Sequence, residues 1–88
     1  MTIEEMIDRA IVFRKTIEIE YITRSGCLFR CRISDIRYST YRDGGYIDAF
    51  REDMKLERIF KISRILKVNG HSFSRIFWNQ IGDNFNVI

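Results

Sequence analysis

Apolar and polar positions along this chain follow two successive rhythms. Ile3, Met6, Ile7, Ala10 and Ile11 recur at helical spacing behind Thr2 and Glu5, which stand three apart as in a capping box. The spacing predicts an amphipathic helix over 3–15 whose apolar stripe covers a core. From residue 17 the period drops to two. Ile17, Ile19 and Tyr21 alternate with Glu18, Glu20 and Ile22 as in a half-buried strand, and Arg24-Ser25-Gly26 then turns the chain. The next run, CLFRCRISDI, sets Phe29, Cys31 and Ile33 on one side and Leu28, Arg30, Arg32 and Ser34 on the other. Asp43-Gly44-Gly45 supplies a second turn from residues that tolerate positive φ. A third strand follows, with Tyr46, Asp48 and Phe50 alternating with Ile47, Ala49 and Arg51.

Polar REDMK, residues 51–55, leads into LERIFKI and then RILKV, with only Ser63 between the last two runs. So short a link makes a sharp bend, not a hairpin. In one straight strand Arg58 and Arg64 would lie about 20 Å apart; the bend instead leaves Arg58 at the rim of the apolar face and puts Arg64 at a corner. Asn69-Gly70 ends the sheet. Beyond it, Ser72 or Ser74 is placed to cap a final helix carrying Phe73, Ile76, Phe77 and Ile81, with Gly82 near its end. The order helix, about five short strands, helix predicts a mainly β fold: a small, strongly curved barrel over 17–69 with a helix at 3–15 and a helical tail over 70–88. An open sheet of four or five strands under two helices buries much the same residues and is the alternative.

Composition narrows the class. The 88 residues, 45% apolar and 31% charged, suit one globular domain with a modest core. No run approaches the length of a membrane span, and the acidic, amphipathic start MTIEEMIDRA is unlike a secretion signal. If Cys27 and Cys31 share a strand face they lie about 13 Å apart, beyond disulfide reach, so reduced thiols in a cytoplasmic protein are expected. With His71 as the one histidine, a zinc site is not supported and no cofactor is implied. No sequence neighbour activates either cysteine, and Asp48, Glu52 and Asp53 have no nucleophile or metal pattern to serve; the chain does not read as an enzyme.

Charge is more informative in kind than in amount. Lys and Arg total 15 against 12 Asp and Glu, a net charge of +3 that points only weakly to an anionic partner. Eleven of the fifteen are arginines, the side chain that forks onto phosphates and stacks on rings. Ordinary solvated charge would account for them equally well.

Several stretches together resemble the WYL domain, named for a Trp-Tyr-Leu signature on its third strand. Gly45, Tyr46 and Ile47 stand at the signature, and Arg58, Phe60, Arg64 and Ile65 match the family's Arg-x-Phe-x-x-x-Arg-Ile pattern. IDRAIVFRKTIEIEY and FRCRISDI are also similar to the family's helix, first strand and basic second strand, so the likeness spans roughly residues 3–69. Gly45 in place of the tryptophan, and Asp35 in place of a common proline, are departures. The resemblance implies an SH3-like or Sm-like barrel of the kind found in bacterial transcription regulators, where it senses a ligand while a separate helix-turn-helix reads DNA. It further implies binding of single-stranded nucleic acid or a nucleotide-like anion. A chain of this length would be the sensor, with the DNA reader supplied by a separate DNA-binding protein.

Two functional readings follow. In the first, Arg30, Arg32, Arg58 and Arg64 take phosphates while Tyr21 and Tyr46 stack on bases; the plainer account pairs the arginines with Glu18, Glu20 or Asp48 and makes the tyrosines core edges. In the second, the chain is a protein-interaction module or homo-oligomer, joined through strand edges or the aromatic residues Phe73, Phe77, Trp78 and Phe85. Those rings serve equally well as a cap on the barrel.

Overall fold

The computed structural model describes residues 1–41 and 44–72. Asp43 of the second turn and the expected C-terminal helix, with Phe73, Phe77, Trp78 and Phe85, lie outside the described residues.

The fold is mainly β. One helix, α1 (Ile3–Val12), precedes five strands, β1 (Ile17–Ile22), β2 (Leu28–Tyr38), β3 (Tyr46–Arg51), β4 (Leu56–Lys61) and β5 (Ile65–Val68). All strand pairs are antiparallel, in the order β4-β3-β2-β1-β5. The expected bend is a single 3-10 turn, Ile62–Arg64, between the two strands that form opposite edges of the sheet. Laid flat, five strands about 4.8 Å apart would separate those edges by roughly 19 Å, whereas a three-residue 3-10 turn rises only about 6 Å. The sheet must therefore curl until its edges approach, although no ladder joins β4 to β5 among the described residues.

The concave side holds the core. Ile17 and Ile19 of β1, Cys31 and Ile33 of β2, Ile47 and Ala49 of β3 and Phe60 of β4 are buried in period-two alternation, and Ile65 and Val68 of β5, three apart, are both buried because the register against β1 shifts between them. Ile3, Ile7 and Ala10 of α1 close it from one side, against β2 and β5. The capping box forms as the sequence predicts: Glu5 N–H donates to Thr2 Oγ1 and Thr2 N–H to Glu5 Oε1, both at 3.0 Å.

Three boundaries differ from the sequence reading, each for a backbone reason. The helix stops at Val12, short of Lys15, because Arg14 turns left-handed (φ 52°). Arg14 N–H then bonds Ile11 O and Lys15 N–H bonds Ala10 O, the two bonds of a Schellman cap. Strand β2 runs on to Tyr38 through a bulge at Asp35 (φ 53°), where the register against β3 shifts and Ile36 turns inward. At Asn69-Gly70 the sheet does not simply end. Both residues have positive φ, and Val68 and His71 exchange two backbone bonds of 3.0 Å across the turn. Asn69 meanwhile extends the β1 ladder, its N–H donating to Glu18 O and its Oδ1 accepting from Glu18 N–H.

The free thiols are as expected, Cys27 exposed and Cys31 buried. No helix among the described residues is long and apolar enough to cross a membrane.

Two checks follow. Arg14 holds a conformation that costs an L side chain about 1 kcal/mol and that glycine adopts freely, so Arg14→Gly is expected to stabilise the chain by about 0.5–1 kcal/mol in urea unfolding. At the far end of β2, Tyr38 donates a 2.9 Å bond to Asp8 Oδ1 of α1, and burial together with Asp8 pushes its phenol up to about 12. The folded chain holds this proton more tightly than an unfolded tyrosine, which ionises near pH ~10. The stabilisation is therefore complete below pH ~10 and is lost as pH climbs towards the raised value. Urea melts at pH 8 and pH 11 are expected to show the stability gap between wild type and Tyr38→Phe shrinking at the higher pH.

Candidate functional site

At one end of the curled sheet, residues from four connections and strand ends surround a cavity of about 460 Å³. Its described lining is Tyr21, Thr23, Arg24, Tyr41, Tyr46, Lys61 and Arg64. Tyr21 lies deepest. It ends the alternating face of β1, and its ring packs edge-on to Phe60 of β4 (5.2 Å between centroids) and tilted against Phe29 of β2 (5.6 Å). Its hydroxyl accepts a 2.9 Å bond from the N–H of Lys61. β1 and β4 are not neighbours in the sheet, so this one side chain spans the gap that the curl leaves between them.

The turn after β1 forms one wall. Thr23 N–H bonds Cys27 O, and Cys27 N–H returns to Thr23 Oγ1 at 2.9 Å, so Arg24 is displayed on a tight, internally bonded loop. Arg64 approaches from the 3-10 corner and donates from Nη1 to Thr23 O at 3.3 Å. That bond commits one of its five donors and leaves the rest of the fork for other acceptors. Tyr46, at the start of β3, meets Tyr41 edge-on (5.0 Å) on one side, while Lys61 Nζ stands 6.0 Å from its ring centroid.

Arg24, Lys61 and Arg64 thus converge on one space. No carboxylate is among its described lining residues, and none of the three makes an ion pair among the described residues. Four other basic side chains are matched, Arg37 with Glu57 at 2.7 Å, Arg51 with Asp53 at 2.7 Å, Arg32 with Glu52 at 3.8 Å and Lys67 with Glu20 at 4.0 Å, whereas Arg30 and Arg58 make no ion pair among the described residues.

Of the six residues singled out in the sequence, the structure brings together Tyr21, Tyr46 and Arg64. Arg30 and Arg32 stand elsewhere, on the convex face of β2, directly opposite Glu20 and Glu18 of β1. Arg58 lines a different cavity of about 550 Å³ with Arg37, Asp48, Glu57 and Ile59, so it does not meet Arg64. The placement of Arg30 and Arg32 had a signal in the sequence: once Arg24-Ser25-Gly26 is the turn, the hairpin register sets each arginine across from a glutamate. Arg24, Tyr41 and Lys61 had none, since a turn residue, a loop residue and the last residue of a strand meet only through the curl. Among the described residues there is no group of three or more side chains suited to a metal ion.

The chain matches no protein-family model, no curated protein and no solved structure.

The Tyr21 bond is separable from its ring packing. Tyr21→Phe keeps the contacts with Phe29 and Phe60 but removes the acceptor of the Lys61 N–H, and is expected to cost about 0.5–1.5 kcal/mol of stability in urea unfolding.

Proposed function

We propose that this chain is a binding module for a phosphate-bearing ligand, single-stranded nucleic acid or a nucleotide, taken up in the cavity between Arg24, Lys61 and Arg64. One observation carries the reading: three cations with no ion pair among the described residues share a space with three tyrosines and no described carboxylate. Like charges brought together without counter-charge repel one another, an arrangement that bound anion relieves. Arginine forks and ammonium groups suit phosphate oxygens, and tyrosine rings suit bases of any identity. Arg30 and Arg32 on the convex face, and Arg58 in a second cavity, stand apart from this space, which narrows the candidate contacts from six residues to Tyr21, Tyr46 and Arg64, with Arg24, Tyr41 and Lys61 added.

The resemblance of residues 3–69 to the WYL domain supports the same ligand class, and with it a role in bacterial transcription regulation: a non-enzymatic sensor in the cytoplasm that passes its state to a separate DNA-binding protein. Self-assembly has one feature in its favour, the edge strand β4 with Ile59 50% exposed. It leaves the charge pattern of the cavity unexplained.

Fluorescence anisotropy with a short labelled single-stranded oligonucleotide tests the reading. The log of the association constant is expected to fall with log salt at a slope of roughly 0.7 to 2, that is, about 0.7 for each of one to three phosphates neutralised. Lys61→Ala with Arg64→Ala is expected to weaken binding at least tenfold, while Arg30→Ala with Arg32→Ala leaves it within twofold. Absence of binding at low salt, or equal losses in the two double variants, overturns the assignment.

A further inference from the structure

The same cavity differs from a groove that tracks a strand in two respects, its size and its density of charge. About 460 Å³ lies at the lower end of the range for sites that enclose one small molecule. Single-strand readers spread their contacts over roughly four to sixteen nucleotides per domain. Here the cations are not spread. Arg24, Lys61 and Arg64 come from the first turn, the end of β4 and the adjoining corner, and all three line the one space.

An internal phosphodiester carries one negative charge, whereas a phosphomonoester carries about 1.5 to 2 at neutral pH, with three oxygens free to accept. Three cations around one small, half-open cavity match the second charge better than the first. Resting on the phosphate-binding reading above, we infer that the cavity takes a single nucleotide unit with a terminal phosphate: a free nucleoside monophosphate or the phosphorylated end of a strand, in preference to a strand's interior. The phosphate sits among Arg24, Lys61 and Arg64, and the base lies towards Tyr41, which is 44% exposed, and Tyr46. Tyr21 closes the inner end.

Among the described residues, the groups lining this space are Tyr21 from β1, Thr23 and Arg24 from the first turn, Tyr41 from the loop before β3, Tyr46 from β3, Lys61 from β4 and Arg64 from the corner. None of these is a histidine or a carboxylate. Between pH 5 and 7.5 a change in affinity therefore reports the second ionisation of the ligand, near pH ~6.

The test compares oligonucleotides of one sequence bearing a 5′-phosphate, a 3′-phosphate or hydroxyl groups at both ends, in anisotropy competition at fixed salt, with a nucleoside monophosphate and its parent nucleoside as further competitors. At least one phosphorylated end is expected to bind ten times more tightly than the hydroxyl-ended strand. The monophosphate is expected to compete where the nucleoside does not, and the advantage should grow severalfold from pH 5 to 7.5. Arg24→Gln, a change on an exposed turn that leaves the core untouched, is expected to reduce the preference to within threefold. Equal binding of phosphorylated and hydroxyl-ended strands overturns the inference of an end-reading site while leaving phosphate binding in place. Failure of every probe at low salt overturns both.

Discussion

The structure depends on one side chain that joins two strands the sheet keeps apart. Tyr21 of β1 packs its ring on Phe60 of β4 and accepts the N–H of Lys61, although β2 and β3 lie between those strands in the ladder. Backbone pairing cannot hold this gap, because the order β4-β3-β2-β1-β5 leaves both β4 and β5 as edges. Ring burial supplies affinity without direction; the hydroxyl supplies direction. The Lys61 N–H would otherwise be a donor at the point where the strand gives way to a turn, and an exposed bond of this kind contributes about 0.5–1.5 kcal/mol net. The contact that closes the curl also fixes the end of β4, from which both Lys61 and the corner carrying Arg64 project.

The charges divide along the same geometry. On the convex face the hairpin register places Glu18 against Arg32 and Glu20 against Arg30, and Lys67 and Glu52 extend the alternation to the flanking strand and turn. Exposed pairs of this kind contribute little each to stability. At the end of the sheet, by contrast, cations arrive from connections that are distant in sequence, and no register assigns them a counter-charge. The basic residues that looked strongest in the sequence, on β2, thus each face a glutamate across the hairpin, whereas those on the cavity, which looked incidental, have no carboxylate among its described lining.

This contrast also explains what could be read in advance. Periodicity and turn chemistry identify α1, all five strands and the sharp bend before β5, since each depends on neighbours within a few residues. Mainly β architecture follows from them. Boundaries set by single left-handed residues, Arg14 at the helix end and Asp35 in the β2 bulge, carry no such signal because arginine and aspartate adopt that conformation only when the surrounding bonds favour it. Arg64 was legible as a corner residue and Tyr21 as the end of an apolar face. Arg24, Tyr41 and Lys61 became neighbours of these only through the curl, a property of the whole sheet that no local pattern records.

Gly45 shows how closely the corner and the cavity are tied. Its backbone is left-handed (φ 79°), with nothing among the described residues within 4 Å of the position a Cβ would take. Conformation, not space, thus favours glycine, since a side chain there would be strained in open surroundings. Its carbonyl accepts the N–H of Ile62 at 2.9 Å, the first bond of the chain as it leaves β4 for the 3-10 turn. Lys61 is consequently held on both flanks, by Tyr21 at its own N–H and by Gly45 at the next. A corner anchored at two successive residues has little freedom to swing, so Arg64, three residues beyond Lys61, meets Thr23 in a defined orientation. The glycine before β3 and the convergence of cations on the cavity thus belong to the same backbone geometry.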